Sequence, residues 1–197
     1  MLERAADRLA NKLIKSRVIK EEEHELYQFG IETALLKGVH LMSYFILGIL
    51  LGRVMELIVF LAVFIPLREY SGGFHASTKL RCYVVSCMTV FSMLVILRLF
   101  PREYYGISIY LAMVSGALLF LLIPVETKNR PLDDSEKIYY KSKAGFIIVL
   151  LLVLSLFLFM MKQMSYSLIL ALGLFYELIA AIAGKVIIIF GKIKSDN

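Results

Sequence analysis

Two side chains in one short segment of this sequence have the chemistry of a nucleophile and its base: His75 and Cys82, within Arg68-Glu69-Tyr70-Ser71-Gly72-Gly73-Phe74-His75-Ala76-Ser77-Thr78-Lys79-Leu80-Arg81-Cys82. Cysteine attack requires the thiolate, which a nearby imidazolium, nearby cations and a helix N-terminus all favour. Cys82 has a claim on all three, because it begins an apolar run, follows Lys79 and Arg81, and stands seven residues after His75. On one continuous helix seven residues advance about 10.5 Å, leaving the two side chains on one face but beyond hydrogen-bonding reach. The chain must therefore bend between them. Gly72-Gly73 give the approach to His75 backbone freedom, and consecutive N–H groups there can form an anion-binding nest for a developing oxyanion.

Arg68 and Lys79, with Lys128 and Arg130 farther along, are candidate contacts for a carboxylate or an acidic peptide. Each also reads as an ordinary positive charge beside lipid headgroups. Asp133, Asp134 and Glu69 are alternative carboxylates for orienting His75, and the residues do not choose among them. The bland reading of the pair is a structural loop histidine and a buried cysteine, and Cys87 is best read as a small buried hydrophobe. No HExxH or CxxC motif is present, so neither a metal site nor another cofactor is expected. The two cysteines, five residues apart, would lie about 140° apart around a helix, which argues against a disulfide framework.

The elements that must position these residues are apolar. Of 197 residues 59% are hydrophobic and the mean hydropathy is +0.76, against roughly 45 to 50% apolar residues in soluble domains. Segments 34–51, 82–100, 106–124, 145–161 and 166–184 approach the roughly 20 apolar residues that span a hydrocarbon core. The stretch 54–67 is shorter and contains Glu56, so it is either a short sixth span or a re-entrant element. Residues 1–30 are expected to form an interfacial amphipathic helix, with Leu2, Ala6, Leu9 and Leu13 on one side and Arg8, Lys12, Lys15, Arg17 and Lys20 on the other. The same segment has no apolar run with a cleavage site, so the first span is expected to direct insertion. With no linker composition, 1–197 reads as a single membrane-embedded domain, an all-α polytopic helix bundle.

Six spans leave Arg53, Arg98, Arg102 and Lys162 on one side and Lys37 inside the first span. The other seventeen of the 22 basic residues fall on the opposite side. That bias predicts cytoplasmic termini and cytoplasmic loops 68–81 and 125–143. Five spans would destroy it. The net charge of +6 is better matched by anionic lipid than by nucleic acid, because the basic residues are scattered between apolar runs. Glu177, inside the last span, is a functional-site candidate because a charge there is costly, although a carboxyl bonded to a neighbouring helix explains it equally well.

The pattern Arg68-x-x-x-Gly72-Gly73-x-His75-Ala76 followed by Cys82, with Pro124, Lys128, Asn129 and Arg130-Pro131-Leu132 downstream, resembles the accessory gene regulator B (AgrB) family over nearly the whole chain. The resemblance implies a membrane cysteine endopeptidase with His75 and Cys82 in the catalytic positions. Its implied partner is the autoinducing-peptide precursor (AgrD-like) of Gram-positive quorum sensing, cleaved through an acyl-thioenzyme and closed to a thiolactone or lactone. It also implies a homodimer. The competing reading is a polytopic transporter or peptide-export component in which His75, Glu56 and Glu177 handle protons or substrate. That reading calls for matched broken helices in two halves, which the sequence lacks. A non-catalytic membrane scaffold is the third reading.

Overall fold

The computed structural model describes residues 2–73, 78–126 and 132–193. Among them are seven α-helices and no strand: α1 Leu2–Lys15, α2 His24–Leu51, α3 Val54–Ser71, α4 Lys79–Leu99, α5 Ser108–Leu122, α6 Asp134–Met160 and α7 Met164–Ile193. Short 3-10 turns at Glu21–Glu23 and Arg102–Ile107 precede α2 and α5. Five helical stretches are long and apolar enough to cross a membrane, namely Glu21–Leu51, Lys79–Leu99, Arg102–Leu122, Asp134–Met160 and Met164–Ile189. The protein is thus an all-helical membrane protein. The sixth expected element is α3. Its 18 residues rise about 27 Å, close to the thickness of a hydrocarbon core.

Every expected span is present as helix; α5 stops two residues inside the window 106–124 at each end, whereas three helices run well beyond their windows. α2 begins ten residues before position 34, α6 eleven before 145, and α7 continues nine beyond 184. Hydropathy marks only the part of a helix suited to hydrocarbon, whereas the backbone ladder continues through charged turns outside it. The connections are correspondingly shorter than 68–81 and 125–143, since Arg68 to Ser71 belong to α3 and α6 starts at Asp134.

The chain divides into two compact units, Met1–Leu47 and Gly48–Asn197. In the first, the amphipathic helix closes at Lys15 rather than continuing to 30. Arg17 turns into the left-handed region at φ 56°, and the Val18 N–H donates back to the Leu13 carbonyl at 3.0 Å, a helix-ending arrangement. His24 Nε2 then meets Asp7 Oδ1 at 3.4 Å, joining α1 to the start of α2.

In the second unit α7 is the helix around which the others assemble, packing against α3, α5 and α6. Lipid tails are as apolar as leucine, so burial alone does not favour one helix pairing over another, and close approach must come from small residues and polar bonds. Gly173 lets Val63 of α3 approach α7, Gly116 receives Leu152, and Gly145 receives Phe120. A buried hydroxyl cluster supplies the bonds: Ser167 of α7 lies 3.0 Å from both Ser108 of α5 and Ser155 of α6. Leu67, Leu119, Ile148 and Leu174 fill the core between these contacts.

Candidate functional site

The exit of α3 carries the first of the expected site residues. Arg68 occupies its last turn, where the helix dipole favours a cation. The guanidinium does two things with one nitrogen. Nη1 donates to the Gly72 carbonyl at 2.8 Å and lies 3.4 Å from Oε1 of Glu177 on α7. Glu177 is fully buried, and its other oxygen, Oε2, has no hydrogen-bond partner among the described residues.

Beyond Ser71 the chain turns sharply. Gly72 takes φ 75° and ψ −148°, and Gly73 takes φ 115°, conformations that L side chains rarely adopt. Close approach adds a second requirement. A Cβ on Gly72 would collide with the Val125 carbonyl, and one on Gly73 with the Arg68 guanidinium and the Ala180 carbonyl. Gly72 pairs with Val125 in a parallel bridge, while the Val125 N–H donates to the Ser71 carbonyl at 2.9 Å. The loop after α3 is therefore bonded to the segment after α5. The Tyr70 ring packs near Tyr139 and Tyr140 of α6 at centroid distances of 6.5 and 6.1 Å, and Lys137 Nζ meets Glu126 Oε1 at 2.8 Å. These contacts gather the ends of α3, α5 and α6 around one face of α7.

The nucleophile candidate sits at the start of α4. Thr78 is the N-cap, its hydroxyl accepting from the Arg81 N–H at 3.3 Å, and the Cys82 N–H donates to the Thr78 carbonyl at 3.0 Å as the first bond of the helical ladder. Cys82 is thus the fourth residue of α4, half-buried and reduced, one turn from the positive end of the helix dipole. Lys79 is the first residue of α4 and is exposed. Cys87 is also free and half-buried.

His75, Lys128 and Arg130 fall in segments 74–77 and 127–131, outside the described residues. Of the expected set, the structure brings together Arg68, Gly72 and Gly73, and adds Glu177 and Val125. Spacing gave no sign of the Arg68 to Glu177 contact, which spans 109 residues. The signal available was electrostatic: a carboxylate inside a span requires a partner, and Arg68 was the cation nearest the polar end of α3. Among the alternative orienting carboxylates, Asp133 is occupied as the N-cap of α6, accepting from the Glu136 N–H at 2.7 Å. Asp134 stands fully exposed, 3.9 Å from Lys137. Among the described residues no cluster of three or more His, Cys, Asp or Glu could hold a metal ion.

Comparison with known proteins gives concordant matches. A family model described as accessory gene regulator B matches residues 6–181. A putative AgrB-like protein of Clostridium perfringens (strain SM101 / Type A) is 28% identical over 155 residues, covering 73% of this chain and 72% of its own length. A putative AgrB-like protein 2 of Clostridium perfringens (strain 13 / Type A) is 25% identical over 78% of this chain and 74% of its own. Accessory gene regulator protein B of Staphylococcus intermedius is 23% identical over 79% and 82%, respectively. No solved structure matches the chain.

Proposed function

The chain belongs to the accessory gene regulator B family, and from that premise we propose that it is a membrane cysteine endopeptidase that processes the precursor of a cyclic quorum-sensing peptide. The observation that carries this reading is the placement of Cys82 in the capped first turn of α4, nine residues after a loop exit held rigidly by Arg68, Gly72 and Val125. A thiol there lies within about one turn of the positive end of a helix and follows a segment containing the one imidazole of the loop.

His75 takes the proton of Cys82, and the thiolate attacks the carbonyl carbon of the scissile peptide bond. The C–N bond breaks as His75 returns the proton to the departing amine, which releases the precursor's C-terminal tail and leaves an acyl thioester on Cys82. An internal thiol or hydroxyl of the precursor then gives its proton to His75 and attacks the thioester, closing the ring and expelling the Cys82 thiolate. Exchange of one thioester for another is close to neutral in bond energy, so ring formation depends on keeping water from the acyl enzyme. Arg68 is engaged by Glu177 and Gly72; Lys79, Lys128 and Arg130 are the other candidate cations for an acidic precursor tail.

The precursor docks as an amphipathic peptide at the inner membrane surface, beside cytoplasmic loops and termini. In support of one shared side, the Gly72 to Val125 bridge joins the two loops that the basic-residue bias places together. Assembly as a homodimer belongs to the same proposal. Transport receives less support: Glu56 is paired with Arg53 at 2.6 Å, and Glu177 faces Arg68.

The decisive experiment is co-expression of a cognate precursor with wild type, Cys82→Ser and His75→Ala, with membrane abundance followed in parallel. Both variants are expected to lose cleavage at normal abundance, and wild-type Cys82 is expected to carry a hydroxylamine-sensitive precursor adduct. Undiminished cleavage by both variants would end the proposal in favour of transport or scaffolding.

A further inference from the structure

We propose that Glu177 is a positioning residue of the catalytic loop: through Arg68 it fixes the Gly72-Gly73 exit of α3, from which the chain runs two residues to His75. The inference rests on the peptidase reading above. A carboxylate enclosed within a membrane helix is retained only where it has a partner or a task. Holding α3 against α7 is not that task, because Val63 on Gly173 and the core around Leu67, Leu170 and Leu174 already do so with apolar contacts.

The partner indicates the task. Arg68 Nη1 is shared between Glu177 Oε1 at 3.4 Å and the Gly72 carbonyl at 2.8 Å. Gly73 lies in a slot with Arg68 on one side and the Ala180 carbonyl, one turn along α7 from Glu177, on the other. Without the carboxylate the long arginine side chain would extend toward headgroups, as cations near helix ends do. The Gly72 carbonyl would then lose its donor and Gly73 one wall of its slot. Lysine at position 68 keeps the charge but not the planar fork of donors. Two other described acids near the loop ends are committed elsewhere, Glu126 to Lys137 and Asp133 to the start of α6.

A loosened exit leaves the imidazole poorly placed against Cys82, and the thiol then reacts less readily. The test needs no substrate. The full chain in membrane vesicles carries Cys87→Ala, making Cys82 the sole thiol, and its alkylation by iodoacetamide is timed at pH 7. His75→Ala is expected to slow alkylation by removing the cationic partner. Glu177→Gln should slow it about tenfold, Arg68→Lys should do the same, and Glu177→Asp should recover most of the rate. All variants should react alike once unfolded in detergent.

Wild-type alkylation of Glu177→Gln beside a slowed His75→Ala would reduce Glu177 to a packing residue and overturn the inference alone. Were Glu177→Gln absent from the membrane, Arg68→Lys would decide, a wild-type rate again overturning it. An unchanged rate in His75→Ala would instead remove the dyad itself, and the positioning role with it.

Discussion

Gly72 illustrates how much a single residue can decide. Its φ and ψ lie near a region that residues with a Cβ occupy at a cost of about 1–3 kcal/mol, and the Val125 carbonyl stands where a Cβ would go. Gly52 also has positive φ, at 66°, but open space around it. Gly72→Ala should therefore lower the unfolding temperature of the purified protein by several degrees, and by more than Gly52→Ala, since 1 kcal/mol is worth roughly 2–4 °C at this size. Equal shifts would remove the Val125 contact from the explanation. The sequence shows that the glycine pair gives the approach to His75 freedom, but not that its carbonyl is claimed by Arg68 or its backbone by Val125. Such partners come from folding, not spacing. Arg68 is the clearest case: read along the chain it is a surface cation or a substrate contact, and in three dimensions it is the counterion of Glu177.

The helices themselves were largely legible, because an apolar run long enough for hydrocarbon has few alternatives to helix. Their ends were not. The first helix stops at Lys15, through the left-handed turn at Arg17, where charge periodicity alone suggested continuation to 30. The start of α6 is set by Asp133 and Glu136, each bonding the other's backbone N–H, a pair that hydropathy does not register. The Asp133 carboxyl is held below its usual range, chiefly by the Glu136 N–H and then by the Ser135 hydroxyl. Its charged form is thus favoured in the folded state, so the cap is complete at neutral pH and is lost as pH falls through that lowered value, below about 3.9. Hydrogen exchange over 134–137 should accelerate in Asp133→Ala at pH 7, while Asp133→Asn, which retains an accepting oxygen, should remain close to wild type. Unchanged protection in Asp133→Ala would show that packing alone starts α6.

At the scale of the whole molecule, the proposed six crossings and cytoplasmic termini rest on the basic residues, which insertion reads directly from sequence. In a chain without Cys82 and Cys87, Gly106→Cys and Lys162→Cys should react with an impermeant maleimide on intact cells. Glu3→Cys and Glu126→Cys should react only after permeabilisation. Labelling of Glu126→Cys from outside would invert the arrangement and place the proposed site on the wrong face. Which helix packs on which was beyond the sequence, since lipid-facing and buried residues are equally apolar, and α7 takes its central place through Gly173 and the Ser108, Ser155 and Ser167 hydroxyls. That central place bears on biogenesis. A ribosome delivers Arg68 109 residues ahead of Glu177, so throughout most of translation the guanidinium has no counterion and the loop leading to His75 has at most its bridge to Val125 to hold it. On the proposed reading, a peptidase completed by its last helix would stay silent while it is being made, and nascent or truncated chains would not cut the bonds that the finished protein cuts.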